Sequence, residues 1–252
     1  LNLDKAITIS GSKAVIKYER GALFEIQHGG SLKLNGLTIS GTESPDSSGN
    51  TVIRTSRRSM LTNYELIVHN TEVVDLNVNH SFDFLSVAKG TFADKIEIKD
   101  STFNNITGSI LKLQKESDDY GIYNAEYVNI VNSSFNKIQG SLIDFYRGGT
   151  DESTFGPHLL MQSNSVSEVG NGKRNKAKTF AKLHGVQVAN INGNTINKSP
   201  AIKIIHTVGE PVTRIINNEF VGVGMPTVEE LNSDKDNTAI IQSNSIVDEV
   251  NK

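Results

Sequence analysis

Apolar and polar residues alternate in short runs along this chain, and the runs return at a regular interval. Residues 96–106 and 128–138 align without a gap, and both continue into a Gly-Ser pair, at 108–109 and 140–141. Looser copies of the same pattern lie at residues 32–39, 66–73, 159–166, 188–196, 214–220 and 240–246. A repeat of this length is typical of solenoids, propellers and other stacked arrays, in which each copy forms one structural unit.

Every copy carries an apolar residue at the same place in the pattern. These aligned residues are Ile39, Val73, Phe103, Phe135, Val166, Ile196, Phe220 and Ile246, and they lie 24 to 34 residues apart. Apolar positions near them alternate, as at Ile96 and Ile98, which predicts short strands with one buried face. Helical stripes are lacking and hairpin signals are scarce. The pattern therefore predicts an all-β fold, a single-stranded right-handed parallel β-helix of about eight coils over residues 1–252.

Ser or Asn stands two positions before most of the aligned apolar residues. These residues are Ser101, Ser133, Asn164, Asn194, Asn218 and Asn244. Because Asn tolerates the left-handed backbone conformation, we expect these residues to form the sharp bends of the repeat. Strands of stacked coils lie ~4.8 Å apart, so we also expect ladders of side-chain hydrogen bonds. Near the end of the chain, residues 227–231 are predicted to form a short helix.

Composition narrows the classes of function. The chain has 25 basic and 28 acidic residues, and this balance argues against a nucleic-acid binder. It has no cysteine, so disulfides and thiolate metal sites are excluded, and no zinc-binding spacing is present. No apolar run reaches the ~20 residues of a membrane-spanning helix. The chain opens directly into a strand pattern without a signal peptide, and we expect another segment to precede it.

Several segments resemble the C-terminal β-helix domain of two-domain alginate lyases of polysaccharide lyase family 6. They are residues 22–26, 29–39, 79–85, 146–158 and 183–187, and the resemblance runs over nearly the whole chain. The most specific of them is Tyr-Arg-Gly-Gly-Thr-Asp-Glu-Ser-Thr-Phe-Gly-Pro-His at 146–158. The resemblance implies a bacterial polysaccharide-degrading enzyme, secreted or periplasmic, that acts on alginate or a related polyuronate by β-elimination.

In that family, a first β-helix carries the chemistry, with a Lys as base, an Arg as acid and a Ca²⁺ ion at the substrate carboxylate. The nearest match here to the family's Arg-His-Gly-Asn segment is Leu-His-Gly-Val at 183–186, which lacks both Arg and Asn. The resemblance therefore implies the accessory half of a larger two-domain enzyme. It implies an N-terminal catalytic β-helix as partner, Ca²⁺ in that partner, and no cofactor in this domain. By itself, the chain is expected to be inactive.

A first group of candidate contact residues is the basic run at 173–178, which includes Lys173 and Arg174. Charge runs are most often solvated loops, and this is the simpler interpretation. The functional interpretation is a patch that faces a polyanion or the partner domain, since the fork of an Arg side chain suits carboxylates.

A second group lies in a Gly-rich excursion between two strands. Arg147, Asp151, Glu152 and His158 belong to it, and a shaped loop of this kind could dock a domain or contact substrate. Two adjacent carboxylates are too few for Ca²⁺, which needs six or more oxygen ligands, so no metal site is predicted here.

A third group consists of Lys182, His184 and His206, of which the first two alternate along one strand. Lone histidines are more often structural than catalytic. With Arg147, Lys182 and His184 are nevertheless the candidates for catalysis if any activity resides in this chain.

A structural or adhesive solenoid would have more uniform repeats and no loop like that at 146–158. Two other functions remain open. One is a free-standing module that binds anionic polysaccharide, although the chain has no Trp and only six Tyr for stacking on sugars. The other is a catalytic lyase or hydrolase in its own right, for which Asp83 and Asp144 in similar sequence contexts could form a carboxylate pair. A second copy of the chain is a further candidate partner.

Overall fold

The computed structural model describes residues 1–56, 61–115, 122–148, 156–207, 209–230 and 238–248. In these ranges the ordered elements are strands, and every strand pairing is parallel. The chain winds through three sheets in turn, which is the architecture of a parallel β-helix and confirms the predicted fold. Within the described residues, no helix is long and apolar enough to cross a membrane.

Within the described ranges, the first sheet has nine strands, one from each coil. They are β1 (Asn2–Leu3), β3 (Ala22–Ile26), β5 (Thr51–Thr55), β8 (Asp83–Ser86), β11 (Leu111–Leu113), β14 (Ile143–Tyr146), β17 (Ala181–His184), β20 (Lys203–His206) and β23 (Thr227–Glu230). This count is one more than the eight aligned repeats, because residues 1–17 form an additional first coil against the second one.

The second and third sheets are joined through two long, bent strands, β2 (Ala6–Lys17) and β4 (Ser31–Ser40). The second sheet continues with β6 (Leu61–His69), β9 (Thr91–Lys99), β12 (Ala125–Val131), β15 (His158–Gln162), β18 (Val188–Asn192), β21 (Val212–Ile216) and β24 (Thr238–Gln242). The third sheet continues with β7 (Glu72–Leu76), β10 (Thr102–Ile106), β13 (Ser134–Ile138), β16 (Ser165–Val169), β19 (Thr195–Asn197), β22 (Glu219–Val221) and β25 (Ser245–Val247).

The aligned apolar residues of the repeat form one continuous column along the third sheet. Each is the register partner of the next, from Ile39 to Ile246. Phe103 and Phe135 stack with their ring centroids 5.2 Å apart. All members are fully buried except Ile246, which is 52% exposed because no described residue covers it from the far side. The period of the repeat therefore determines which side chains stack on one another in the core.

The predicted ladder is present, but its members do not take the left-handed conformation. The backbone N–H of Ser133 donates to Oδ1 of Asn164 at 2.9 Å, and Asn164 donates in the same way to Asn194. The positive φ angles belong to the preceding residues, such as Asn132 at 48° and Ser163 at 56°. The ladder residue must direct its side chain inward to bond the next coil, so the residue before it makes the bend.

The predicted helix near the end of the chain is wrong. Thr227–Glu230 is the last strand of the first sheet, and it pairs in parallel with Lys203–His206. Residue 231 lies outside the described residues. The free backbone groups of the preceding coil favour a strand here, and this tertiary context overrides the local preference for a helix.

Substitution Asn194→Ala should lower the free energy of unfolding by about 2 to 3 kcal/mol. The buried Asn194 side chain accepts from the backbone N–H of Asn164 and donates to the carbonyl of Met161, so its removal leaves buried groups unbonded. Urea unfolding followed by circular dichroism would measure the loss. Asn190→Ala, on the outer face of the same coil, is the control and should change stability by less than about 0.5 kcal/mol. Equal stability of the two variants would contradict a structural role for the ladder.

Candidate functional site

The corners that lead from the third sheet to the first differ greatly in length. Two of them, at residues 107–110 and 139–142, are short and contain the Gly-Ser pairs of the repeat. A Cβ on Gly140 would collide with the Ser109 hydroxyl and the Gly108 carbonyl oxygen, so no larger residue fits. The backbone of Ser141 donates to the Ser109 hydroxyl at 3.0 Å. These two corners therefore form a low floor between longer neighbouring loops.

The basic run forms a wall over this floor. Residues 170–180 fold back across the preceding corner, where the backbone N–H of Gly172 donates to the Gln139 carbonyl at 2.9 Å. The guanidinium of Arg174 reaches further and donates to the carbonyl of Asn79, 95 residues earlier in the chain. Hydrogen bonds from Asn79 hold the pKa of Asp46 below its usual value, and the Arg174 charge acts in the same direction. Arg174 thus ties together loops of distant coils.

The floor and the wall enclose a cleft of about 530 Å³, which we call the corner cleft. Its charged lining consists of Lys112, Asp144, Arg174, Lys176 and Lys182. The uncharged polar lining consists of Ser81, Thr107, Ser109, Gln114, Ser141 and Asn175. Four cationic side chains against one carboxylate make the cleft suited to an anion that also carries hydroxyl groups.

Asp144 occupies the centre of the cationic column. It is the register partner of Lys112 on one side and of Lys182 on the other, in the middle of the first sheet. Burial raises the pKa of Asp144, and the charges of Lys182 and Lys112 oppose that shift only in part. The ionised carboxylate is therefore held in the cleft at a cost in stability.

Asp83 has a different role from Asp144. Its Oδ1 accepts hydrogen bonds from the backbone N–H of Ser109 at 2.8 Å and from the Ser81 hydroxyl at 3.0 Å, and lies 3.7 Å from the Lys112 ammonium. These contacts commit Asp83 to holding the corner. The two aspartates thus lie in unlike environments.

Three of the residues singled out from the sequence line the corner cleft: Asp144, Lys182 and Arg174. Lys173 instead lies on the other side of the wall. There it lines a second depression of about 710 Å³, the adjacent groove, with Lys137 and Glu168. Arg174 lines both depressions and separates them.

His184 lies beside the cleft, on the same outer face as Lys182. Its ring stacks on Tyr146 with centroids 4.3 Å apart, and its Nδ1 lies 3.1 Å from the Arg147 carbonyl oxygen. A carbonyl can only accept, so Nδ1 carries the proton and Nε2 is the basic nitrogen of the neutral ring. Burial lowers the pKa of His184 and so favours that neutral form. The side chain of Arg147 is fully buried.

Of the remaining predicted contact residues, His158 and His206 do not line the cleft. His158 begins a strand of the second sheet, where it stacks on Tyr127 at 4.9 Å and lies 3.6 Å from Glu126. His206 is fully buried, with Nε2 3.0 Å from the Thr213 hydroxyl. Asp151 and Glu152 lie outside the described residues.

Sequence reasoning missed Lys112 and the position of Asp144 beside it. A signal was present, because each lies nine residues after an aligned Phe, at Phe103 and Phe135. Equal offsets in successive repeats place two residues in one column of a β-helix. Lys182 joins the same column only because the long 170–180 corner is looped out.

Among the residues that the structure describes, no group of three or more His, Cys, Asp and Glu side chains is arranged to hold a metal ion. Ca²⁺ in an N-terminal catalytic domain stays a prediction that follows from the family resemblance.

Comparison with known proteins shows what this β-helix is related to. No family model and no curated protein matches the chain. Among solved structures it matches the PL6 family alginate lyase AlyGC, with 44% identity and a TM-score of 0.95. The match covers 98% of this chain and 34% of that one. An arginine-to-alanine mutant of the same enzyme gives 44% identity, a TM-score of 0.94 and the same coverage.

The class of the protein is therefore that of the parallel β-helices related to polysaccharide lyases. Within that class, the resemblance to PL6 alginate lyases is confirmed: the chain is a relative of such an enzyme in sequence and fold. It spans about a third of the length of the solved structures that it matches.

Substitution Asp144→Asn should raise the melting temperature at neutral pH. The pKa of Asp144 is higher in the folded than in the unfolded chain, so its ionisation costs stability as the pH rises through these pKa values. The gain should therefore disappear in acid, where both states are protonated. Differential scanning calorimetry at neutral and acid pH would test this. The exposed Asp94→Asn serves as control, and a lower melting temperature for Asp144→Asn at neutral pH would refute the sign.

Proposed function

We propose that this β-helix is the non-catalytic supporting domain of an alginate lyase, and that it forms the C-terminal half of a larger two-domain enzyme. The observation that carries the proposal is the match to AlyGC, which takes in nearly all of this chain at 44% identity but only a third of the enzyme. A segment of that proportion is expected to share its enzyme with at least one further domain.

The chemistry of β-elimination sets the demands on a catalytic site. A cation must neutralise the uronate carboxylate, a base must remove the proton at C5, and an acid must protonate the leaving oxygen at C4. Lys182 and His184 could reach a sugar on the outer face of the first sheet, but the Arg147 guanidinium is buried beneath that face. This separation supports assigning the base and acid to the N-terminal catalytic β-helix.

A supporting domain can contribute to the activity of the enzyme in two physical ways. A rigid stack of coils can hold a catalytic domain in position and present a charged surface to the same polymer. Alginate is a large polyanion, so its degradation is expected outside the cytoplasm, in the periplasm or the medium. The four cations of the corner cleft support a contribution to polyuronate binding.

A second candidate, a lyase active by itself, is favoured by one observation. Lys182 and His184 share one face beside a cleft, and burial favours the neutral form of the His184 ring. A neutral imidazole can act as a base. The experiment below separates the two functions.

Alginate should yield no unsaturated product with this chain alone, and the N-terminal catalytic β-helix should be more active when the chain is added. The ultraviolet absorbance of the C4–C5 double bond measures the product in each reaction, with Ca²⁺ present throughout. The same chain, heat-unfolded, is the control for non-specific effects of added protein.

Product from the chain alone would contradict the supporting role. In that case, Lys182→Met and His184→Gln would show whether these two residues carry the activity. Catalysis by the N-terminal domain that does not respond to the chain would equally speak against the proposal.

A further inference from the structure

We infer that the corner cleft is a binding site for a uronate residue, with its carboxylate held between Lys112 and Lys182 and no bond broken there. The inference rests on the proposed function, which it deepens by naming the site and the class of ligand.

The distribution of charge along the first sheet locates the site. Lys112, Asp144, Lys182 and Lys203 follow one another in one outward column. At the far end, Lys203 pairs with Glu229 at 2.8 Å and does not line the cleft. Lys182 instead faces the cleft with Arg174 and Lys176 from the wall. Although Lys112 also lies 3.7 Å from Asp83, the lining of the cleft carries more positive than negative side chains.

The shape of the cleft fits a sugar. Its volume of about 530 Å³ lies within the usual range of small-ligand sites, about 300 to 1,000 Å³. Gly108 and Gly140 keep the floor low, and the Gly172 and Arg174 hydrogen bonds hold the wall in place. Because the cleft is already formed in the free protein, its residues lose little conformational entropy when a ligand binds.

The polar groups of the cleft suit a hydroxylated anion rather than a bare ion. The Ser81 hydroxyl already donates to Asp83, and the Ser141 hydroxyl to Ser109, and both oxygens can still accept. Lys112 and Lys182 lie two strands apart in the sheet, on either side of Asp144. A carboxylate above Asp144 would lie within reach of both.

Asp144 sets the strength of the site. The groups that face it are Lys112 and Lys182 from the adjacent strands and Arg174 and Lys176 from the wall, with Asp83 beyond Lys112. Its negative charge cancels part of their field and weakens the attraction for an anion. Removal of that charge should tighten binding, an effect that a merely structural residue would not produce.

The test is a calorimetric titration of the 252-residue chain with a purified oligouronate and, separately, with a neutral oligosaccharide of the same length. The chain should bind the oligouronate at one site and not the neutral sugar. Lys182→Met and Lys112→Met should each weaken binding about tenfold, as expected for the loss of one charge-assisted contact. Asp144→Asn should strengthen binding.

Lys203→Met is the matched control, because Lys203 is the neighbour of Lys182 in the same column but lies outside the cleft. It should bind like the unchanged chain. The inference is overturned if the unchanged chain does not bind, if Lys203→Met weakens binding as much as Lys182→Met, or if Asp144→Asn fails to strengthen it. Circular dichroism verifies the fold of each variant.

The titration and the lyase assay distinguish the two proposals. Binding that depends on Lys182, without any stimulation of the catalytic domain, would leave the inference standing and refute the supporting role. Stimulation that survives in Lys182→Met and Lys112→Met, without oligouronate binding to the chain, would refute the inference alone.

Discussion

The hydrogen bonds between neighbouring coils are the interaction on which the rest of this structure depends. A strand in one coil can satisfy its backbone groups only on the coils before and after it, so each coil fixes the register of the next. The Asn and Ser ladder extends the same constraint to the side chains, from Ser101 to Asn244. Buried amides without these partners would cost more than the core could easily offset.

This constraint leaves the corners free to differ. A strand that drifted by one residue would turn its apolar side chains outward, whereas a corner can lengthen without moving the strands that it joins. The corner at 139–142 is short and the corner at 170–180 is long, yet both lead into strands of the same sheet in register. The candidate site lies where these two kinds of corner meet, which is how a repetitive fold acquires one place unlike the others.

Burial of the ionised Asp144 carboxylate in the corner cleft costs free energy, and the rest of the fold offsets this cost. Lys112 and Lys182 flank a carboxylate that burial disfavours, and Arg174 is held across distant loops. The stack tolerates this local cost because its core is continuous, from Leu3 to Val223. Titratable groups with shifted pKa values are often found at functional sites. The cleft, rather than the histidines, therefore bears the closer relation to the proposed role.

The sequence by itself determined the fold class, the column of apolar residues and the ladder, because each repeats with a period that stacking converts directly into contact. It also indicated Lys182 and Arg174 as candidate functional residues. Only the tertiary structure decided that residues 227–230 form a strand, that the residue before each ladder position makes the bend, and that the Arg147 side chain is buried. It alone assembled the cleft, since Lys112 and Lys182 meet there from positions 70 residues apart, and Arg174 meets Asn79 from 95. The physical reason is that periodicity specifies which residues stack, whereas the path of an irregular corner depends on the surface over which it folds.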